Sequence, residues 1–448
     1  MDPIDIGLIG SAVFVLITFL RVPIAYGMFI VGLGGLMFIY PPGSSFQFLP
    51  TGLFSYTSNF SLAALPLFIL MGHLAFHADI GKDAYDAAKA WVGRVPGGLG
   101  VGTVYSSALF GAVSGSSLSE VAVFSKIAVP EMIKAGYSKR LATGVVASAG
   151  CLGVLIPPSI LLIFFGILTE TSIGQLFIGG IVPGILYAVI MATTLMVVCT
   201  IFPNIAPRSS MFDTSWIAKV RTFKNLWAVL LLFLIVLGAI YTGWATPDEA
   251  AAVGVVGSML IVFLRGKLSI QIVKESAIDS AKGSAMIFLL LGGGSIFATF
   301  LSSTGVVGAS TAFITGLDVP FWALMLGIVL LYLVLGCFLD AISMMVLTMP
   351  LITPLIEAHD MSLVWFGVVV TMMMAIGAIT PPMGLNCFVM KGALGDQVEL
   401  KEIFIGDPLC LSHAFYCRFV YRLPRDCALA SRINAVDALR SKHYGKDY

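Results

Sequence analysis

Apolar runs long enough to cross a lipid bilayer recur along almost the whole chain, and they constrain the fold more than any other feature. They cover, approximately, residues 4–20, 24–40, 61–77, 141–165, 176–202, 226–244, 248–264, 283–303 and 363–390. A helix needs about 20 apolar residues to span a hydrocarbon core roughly 30 Å thick. A single segment at that depth must satisfy its own backbone groups, and a helix does so. Only 11% of the 448 residues are charged and 58% are hydrophobic, whereas a soluble domain carries about 25% charged residues. An ordinary soluble globule is therefore excluded. The net charge of +1 implies no nucleic-acid partner. Seven cysteines without a CxxC spacing indicate neither a disulfide framework nor a zinc site. The first run follows an acidic start and has no clear cleavage site, so it reads as a span rather than a signal peptide.

Two further stretches, 98–130 and 321–356, are apolar but interrupted, and a candidate last span begins near 403. Let the amino terminus lie outside and let both interrupted stretches enter and leave on one side. The loops 41–60, 169–175, 243–249, 304–318 and 356–362 then fall outside and contain no Lys or Arg. The basic residues from Arg21 to Lys401 fall inside, apart from Lys126 within the first interrupted stretch. Cytoplasmic loops are the ones that retain Lys and Arg. A full crossing by either stretch would put later loops on the wrong side, so the charge asymmetry predicts two re-entrant hairpins. Residues 79–94 and 265–282 mix charge with apolar positions and read as inside-surface helices. Thr246, Pro247 and Glu249 have the spacing of a capped helix start.

The chain repeats itself. At an offset of 224 residues prolines coincide at Pro23/Pro247, Pro96/Pro320, Pro130/Pro354, Pro157/Pro381 and Pro158/Pro382, where chance gives about half a coincidence. Each half has three spans, a hairpin, then two spans, and the halves begin on opposite sides of the membrane. The expected fold is an all-α integral membrane protein of about ten transmembrane helices plus two hairpins, in two inverted-topology repeats. Residues 1–202 form the first repeat, with its hairpin at 98–130 and broken helix at 141–165. Residues 203–225 form a cytoplasmic linker. The second repeat is 226–406, with its hairpin at 321–356 and broken helix at 363–390. Inverted repeats with Gly/Pro-interrupted segments at matching positions are the signature of secondary transporters, whose binding site lies near the midplane.

Candidate chemistry arises from those interruptions. The first hairpin turns at Ser114, Gly115, Ser116 and Ser117, where hydroxyls and carbonyls can replace the water of a cation. The second turns between Gly336 and Asp340, and Asp340 stands opposite Ser116 at the repeat offset. An intramembrane Asp is a functional candidate by default, with a structural hydrogen bond as the bland reading. Hard cations such as Na⁺ prefer such oxygen ligands. The broken helices contain Gly153, Pro157, Pro158 and Ser159 in one half and Thr380, Pro381, Pro382, Gly384 and Asn386 in the other. Paired prolines remove amide donors and break the helix. They free carbonyls for an ion and leave a half-helix amino terminus for an anion. The expected ion ligands are Ser114, Gly115, Ser116, Ser117, Gly153, Gly336, Asp340 and Thr380. The expected substrate contacts are Pro157, Pro158, Ser159, Pro381, Pro382, Gly384 and Asn386. Glu120 and Lys126, in the returning arm of the first hairpin, pair with each other or reach water. No P-loop motif and no catalytic nucleophile–base set is visible, so the chain reads as a transporter and not an enzyme, with no cofactor beyond a coupling ion. A stand-alone anion or cation symporter, or an antiporter, is the alternative transporter reading.

Over residues 1 to about 406 the chain resembles the large permease subunit of tripartite ATP-independent periplasmic (TRAP) transporters. The resemblance rests on Ser114-Gly-Ser-Ser117, Pro130-Glu-Met-Ile-Lys-Ala-Gly-Tyr137, Gly153-Val-Leu-Ile-Pro-Pro-Ser159, Thr246-Pro-Asp-Glu-Ala250, Phe338-Leu-Asp340 and Thr380-Pro-Pro-Met-Gly384. It implies Na⁺-driven uptake of a small organic acid, such as a C4-dicarboxylate, by an elevator-type motion. It implies a bacterial inner-membrane location with a periplasmic amino terminus, a small four-span permease subunit and a periplasmic solute-binding protein as partners. Residues 407–448 depart from that pattern. Arg418, Arg422, Arg425 and Asp426 would lie inside the expected last span, each costing about 2.5–3.5 kcal/mol at mid-depth. A shifted reading frame near residue 407 accounts for this, and a divergent tail is the alternative.

Overall fold

The computed structural model describes residues 2–20, 22–57, 60–207, 216–316, 320–381 and 384–405. The atypical tail, and Pro382 among the expected site residues, lie outside the described residues. The described chain is helical throughout, apart from turns and loops. The first half runs through α1 (Pro3–Phe19), α2 (Ile24–Ile39), α3 (Pro42–Thr57), α4 (Ala64–His77) and α5 (Ile80–Val92). It continues through α6 (Gly98–Ser114), α7 (Ser117–Lys134), α8 (Lys139–Ala149), α9 (Leu152–Leu155), α10 (Ile160–Leu168) and α11 (Ile173–Ile201). The second half runs through α12 (Trp216–Asn225), α13 (Trp227–Tyr241), α14 (Pro247–Leu264), α15 (Ile270–Ser303) and α16 (Val306–Gly316). It ends with α17 (Phe321–Gly336), α18 (Ala341–Ala358), α19 (Leu363–Gly377), α20 (Leu385–Leu394) and α21 (Leu400–Ile405).

Among the described residues five helices are long and apolar enough to cross a membrane, and up to seven if each bent pair counts as one span. Shorter apolar helices include α2, α6, α17 and α19. Large apolar side chains such as Leu16, Ile30, Phe38, Val256 and Phe263 point out of the protein. Such an outer surface matches lipid rather than water. The chain is a multi-pass membrane protein.

Local rules set the helix boundaries. Glu249 Oε2 accepts from the Thr246 N–H at 2.8 Å and Pro247 begins α14, which is the capped start expected there. Ser138, Ser159, Ser172 and Ser269 cap α8, α10, α11 and α15. Asp79, at φ 56°, separates α4 from α5. Residues 265–282 differ from the expectation of a separate surface helix. They turn at Arg265–Ser269 and then run without a break into α15, which is 34 residues long. At 1.5 Å per residue α15 is about 50 Å long, so its charged first part extends beyond a hydrocarbon core of about 30 Å. Charge marks where that helix leaves the lipid. No Gly or Pro between Ile270 and Lys282 ends it there.

Helix α15 packs against α2 and α4, and α14 packs against α4. Glycines allow the closest approaches: a Cβ on Gly293 would lie 2.7 Å from the Ala25 carbonyl oxygen, and one on Gly32 2.9 Å from the Phe297 nitrogen. Helix α5 is held by charge. Arg265 pairs with Asp83 at 2.5 Å and donates to the Ala78 carbonyl, and Lys267 pairs with Asp79. Lys89 pairs with Glu131 on α7 at 2.8 Å and with Asp86 at 3.2 Å. Trp91 on α5 also stacks edge-on with Trp216 of α12.

Candidate functional site

Helices α6 and α7 form the first hairpin, and α17 and α18 the second. The first turns tightly. Gly115 has φ 62° and Ser116 caps α7, its hydroxyl accepting from the Ser119 N–H at 3.5 Å. Left-handed backbone is open to glycine at little cost. In the second hairpin Asp340 caps α18, accepting from the Ser343 N–H at 3.2 Å and from the Ser343 hydroxyl. Ser116 and Asp340 thus do the same local work 224 residues apart. The carboxylate of Asp340 is committed to that cap, yet it stays only half-buried. It retains acceptor capacity beyond the Ser343 bonds, since each carboxylate oxygen can accept more than once.

Each hairpin tip lies against a helix break. Helices α8–α9 and α10 bend by 45° across Ile156–Ser159. The Gly115 carbonyl accepts from the Ile160 N–H at 3.2 Å, and a Cβ on Gly115 would lie 2.6 Å from the Pro158 oxygen. Ser159 spans this break: its hydroxyl donates to the Val154 carbonyl at 2.6 Å and accepts from the Leu162 N–H at 3.4 Å. Pro157 and Pro158 are buried beside it. The second break, between α19 and α20, is different in detail. Thr380 donates its hydroxyl back to the Ile376 carbonyl at 2.8 Å, and the Asn386 N–H reaches the Ala378 carbonyl at 3.0 Å. Gly384 takes φ 49°. Cys337, at the tip of the second hairpin, donates its thiol to the Pro381 carbonyl at 3.1 Å.

The two breaks also meet each other. The Cys151 thiol lies 3.4 Å from the Ala375 carbonyl, and these positions are 224 residues apart. Hairpin and break cross at paired glycines in both halves. A Cβ on Gly111 would lie 2.8 Å from the Gly153 Cα, and one on Gly336 2.5 Å from the Gly377 Cα. Ser114, Gly115, Ser116 and Gly153 therefore gather at one junction, with Ser117 starting the next helix. Gly336, Asp340, Thr380 and Pro381 belong to the second.

Several polar groups in this region are buried with no hydrogen-bond partner among the described residues: the Ser114 hydroxyl, the Thr371 hydroxyl and both amide atoms of Asn386. A buried unsatisfied polar group costs about 1–3 kcal/mol, and such groups call for an explanation such as an ion or a polar ligand. Their oxygens suit a hard cation. Among the described residues no group of three or more His, Cys, Asp or Glu could hold a metal ion.

Glu120 and Lys126 are not paired. Glu120 is wholly buried, its Oε2 accepting from the Gly153 N–H at 3.1 Å, while Lys126 is exposed. Six residues along a helix turn the side chain through about 240°, so the two point to different faces. That phase is legible in the sequence. The burial of Glu120 is not, because it depends on Gly111 and Gly153 leaving room.

A family model described as "Tripartite ATP-independent periplasmic transporter, DctM component" matches residues 11–410. The chain is similar to the C4-dicarboxylate TRAP transporter large permease protein DctM of Pseudomonas aeruginosa, with 33% identity over 82% of this chain and 85% of that one. It is 29% identical to the sialic acid TRAP transporter large permease protein SiaM of Vibrio cholerae, over 83% and 86% of the two chains. It is 31% identical to the isethionate TRAP transporter permease protein DctMQ of Oleidesulfovibrio alaskensis, over 89% of this chain and 62% of that longer one. Among solved structures the fold is similar to the Alcanivorax borkumensis YdaH transporter, with TM-score 0.56 at 12% identity over 88% and 90% of the chains. With the family model covering most of its length, and with two hairpins docked on two broken helices, this chain belongs to the DctM family of TRAP transporter large permeases.

Proposed function

We propose that the chain takes up a small organic acid across a bacterial inner membrane, driven by Na⁺ bound at the two hairpin–break junctions. The observation that carries this reading is the contact of each hairpin tip with a break, Gly115 on Pro158–Ile160 and Cys337 on Pro381, beside unsatisfied buried oxygens. Na⁺ meets Ser114, Gly115, Ser116, Ser117 and Gly153 at the first junction and Gly336, Asp340 and Thr380 at the second. The amino ends of α10 and α20, with Ser159 and Asn386 near them, face the anionic solute. Helix amino termini favour negative charge there.

The relatives' names supply the solute class: C4-dicarboxylate, isethionate and sialic acid are all acids. A periplasmic solute-binding protein and a small four-span permease subunit complete the transporter in this reading, in keeping with a family described as tripartite and periplasmic, and the amino terminus faces the periplasm. The halves 1–202 and 226–406 are inverted repeats joined by the linker 203–225. The contact between Cys151 and Ala375, at the repeat offset, supports a pseudo-twofold axis near the breaks. Hairpins and breaks move together as an elevator against α2, α4, α14 and α15. Before solute and Na⁺ bind, the unsatisfied groups penalise that motion, and binding removes the penalty.

The test is uptake of succinate, isethionate or sialic acid into proteoliposomes carrying this chain, the small subunit and a binding protein, under an inward Na⁺ gradient. The 448-residue chain is assayed unaltered and with an apolar last span restored after residue 406, with Asp340→Ala in parallel. Uptake that requires Na⁺, the binding protein and Asp340 is expected. Uptake that proceeds without the binding protein would sink the tripartite reading. Equal activity with and without the restored span would sink the idea of a damaged tail.

A further inference from the structure

The two halves differ at one buried position. Four residues beyond the caps Ser116 and Asp340 stand Glu120 and Met344, again 224 apart, and both are wholly buried. Met344 needs no polar partner. Glu120 occupies a slot made by two glycines: a Cβ on Gly111 would lie 2.4 Å from its Oε1, and one on Gly153 2.6 Å from its Cδ. Its Oε2 accepts from the Gly153 N–H, and its Oε1 has no hydrogen-bond partner among the described residues. In the second half the corresponding crossing brings the Gly336 and Gly377 backbones together directly. The arms of that hairpin are joined instead by Tyr332 and Thr348, whose hydroxyls are 2.5 Å apart.

We infer that Glu120 is a positioning residue for the first ion junction: it latches the Gly153 peptide to the hairpin, so hairpin and break are assembled before Na⁺ arrives. The inference rests on the Na⁺-coupled reading above. The first junction, so latched, presents its ligands already placed, and little ion-binding energy goes into ordering them. The second junction is held differently: hairpin and break meet there through the Gly336–Gly377 crossing and the Cys337 thiol on the Pro381 carbonyl, and among the described residues no carboxyl fixes a break peptide to that hairpin. The two Na⁺ sites are therefore unequal, and the inequality resides in a Glu/Met difference at equivalent positions. A carboxyl is not required for this. Any acceptor of the same reach serves, because the working contact is one hydrogen bond from a backbone N–H.

Three variants separate the possibilities. Glu120→Gln keeps an acceptor at the same reach. Glu120→Asp keeps the carboxyl but shortens it by one methylene. Glu120→Met installs the residue of the other half. Each is compared with the wild-type chain in the assembled transporter, by Na⁺-dependent uptake and by Na⁺-dependent thermal stabilisation of the purified protein. The Met and Asp variants should raise the Na⁺ concentration for half-maximal response about tenfold, the size of one buried hydrogen bond, with the maximal rate within about twofold. Glu120→Gln should stay within about twofold of wild type on both readouts. If Glu120→Met fails to fold, Glu120→Asp carries the same test. An unchanged Na⁺ response in Met and Asp overturns the inference, as does a Gln variant as impaired as the Met one. Wild-type uptake indifferent to Na⁺ overturns the Na⁺-coupled reading itself, and this inference with it.

Discussion

Two substitutions of the same kind on one helix should have opposite effects. Gly327 and Gly336 both lie in α17. A Cβ on Gly327 meets nothing within 4 Å among the described residues. A Cβ on Gly336 would lie 2.5 Å from the Gly377 Cα and 3.1 Å from its carbonyl carbon. Carbon atoms rest about 3.5–4.0 Å apart, so α17 and α19 would have to separate by about 1 Å. The obstacle is backbone, and no rotamer change relieves it. Overpacking typically costs about 1–3 kcal/mol, and this contact sits at the upper end. Replacing an interior helical glycine by alanine otherwise gains about 0.5–1 kcal/mol. Gly327→Ala should therefore hold or raise thermal stability, whereas Gly336→Ala lowers it, a gap of about 3–4 kcal/mol from one methyl group. Thermal unfolding of the detergent-solubilised variants reads the gap, and uptake should fall in Gly336→Ala alone. Equal shifts in the two variants would refute the claim that the glycine crossing holds hairpin and break together.

Ser159→Ala removes both hydrogen bonds that span the first break, and should cost about 1–3 kcal/mol in thermal or denaturant unfolding; no loss would mean that the prolines alone fix the break. Arg265→Gln should lower stability by about 1–3 kcal/mol, and a double-mutant cycle with Asp83→Asn should show coupling, whereas strict additivity would remove α5 from the set of charge-held elements. Burial alone would lower the pKa of Lys89, but the hydrogen bond and charge of Glu131, with Asp86 beside it, outweigh burial and hold the ammonium above the ordinary lysine value. A folded-state pKa that is raised stabilises the fold below the unfolded value and is lost as pH climbs through the folded one. The stability advantage of wild type over Lys89→Met should therefore be full at neutral pH and shrink above about pH 10.4; a margin that does not change with pH would show that the pair contributes by packing alone.

The sequence by itself determined the elements whose causes are local. Apolar length marked the membrane-crossing helices, and Pro157 and Pro158 marked a break. Thr246, Pro247 and Glu249 fixed a helix start through atoms three residues apart. Ser114, Gly115 and Ser116 announced a turn because glycine opens left-handed backbone and serine caps the next helix. The split of 265–303 into two helices failed because charge reports the surroundings of a helix, not its continuity. The features that only the tertiary structure decided depend on residues far apart in the chain. Helix phase puts Glu120 and Lys126 on different faces, but only Gly111 and Gly153 decide that Glu120 is the buried one. Asp340 reads as an intramembrane charge until Ser343 is found filling part of its hydrogen-bonding capacity. The meeting of Cys151 with Ala375 requires two broken helices to be carried to one depth, and that of Gly336 with Gly377 requires a hairpin arm to cross one of them. Backbone preferences act over a few residues, whereas these contacts are set by how whole helices pack, and packing is a property of all of them at once.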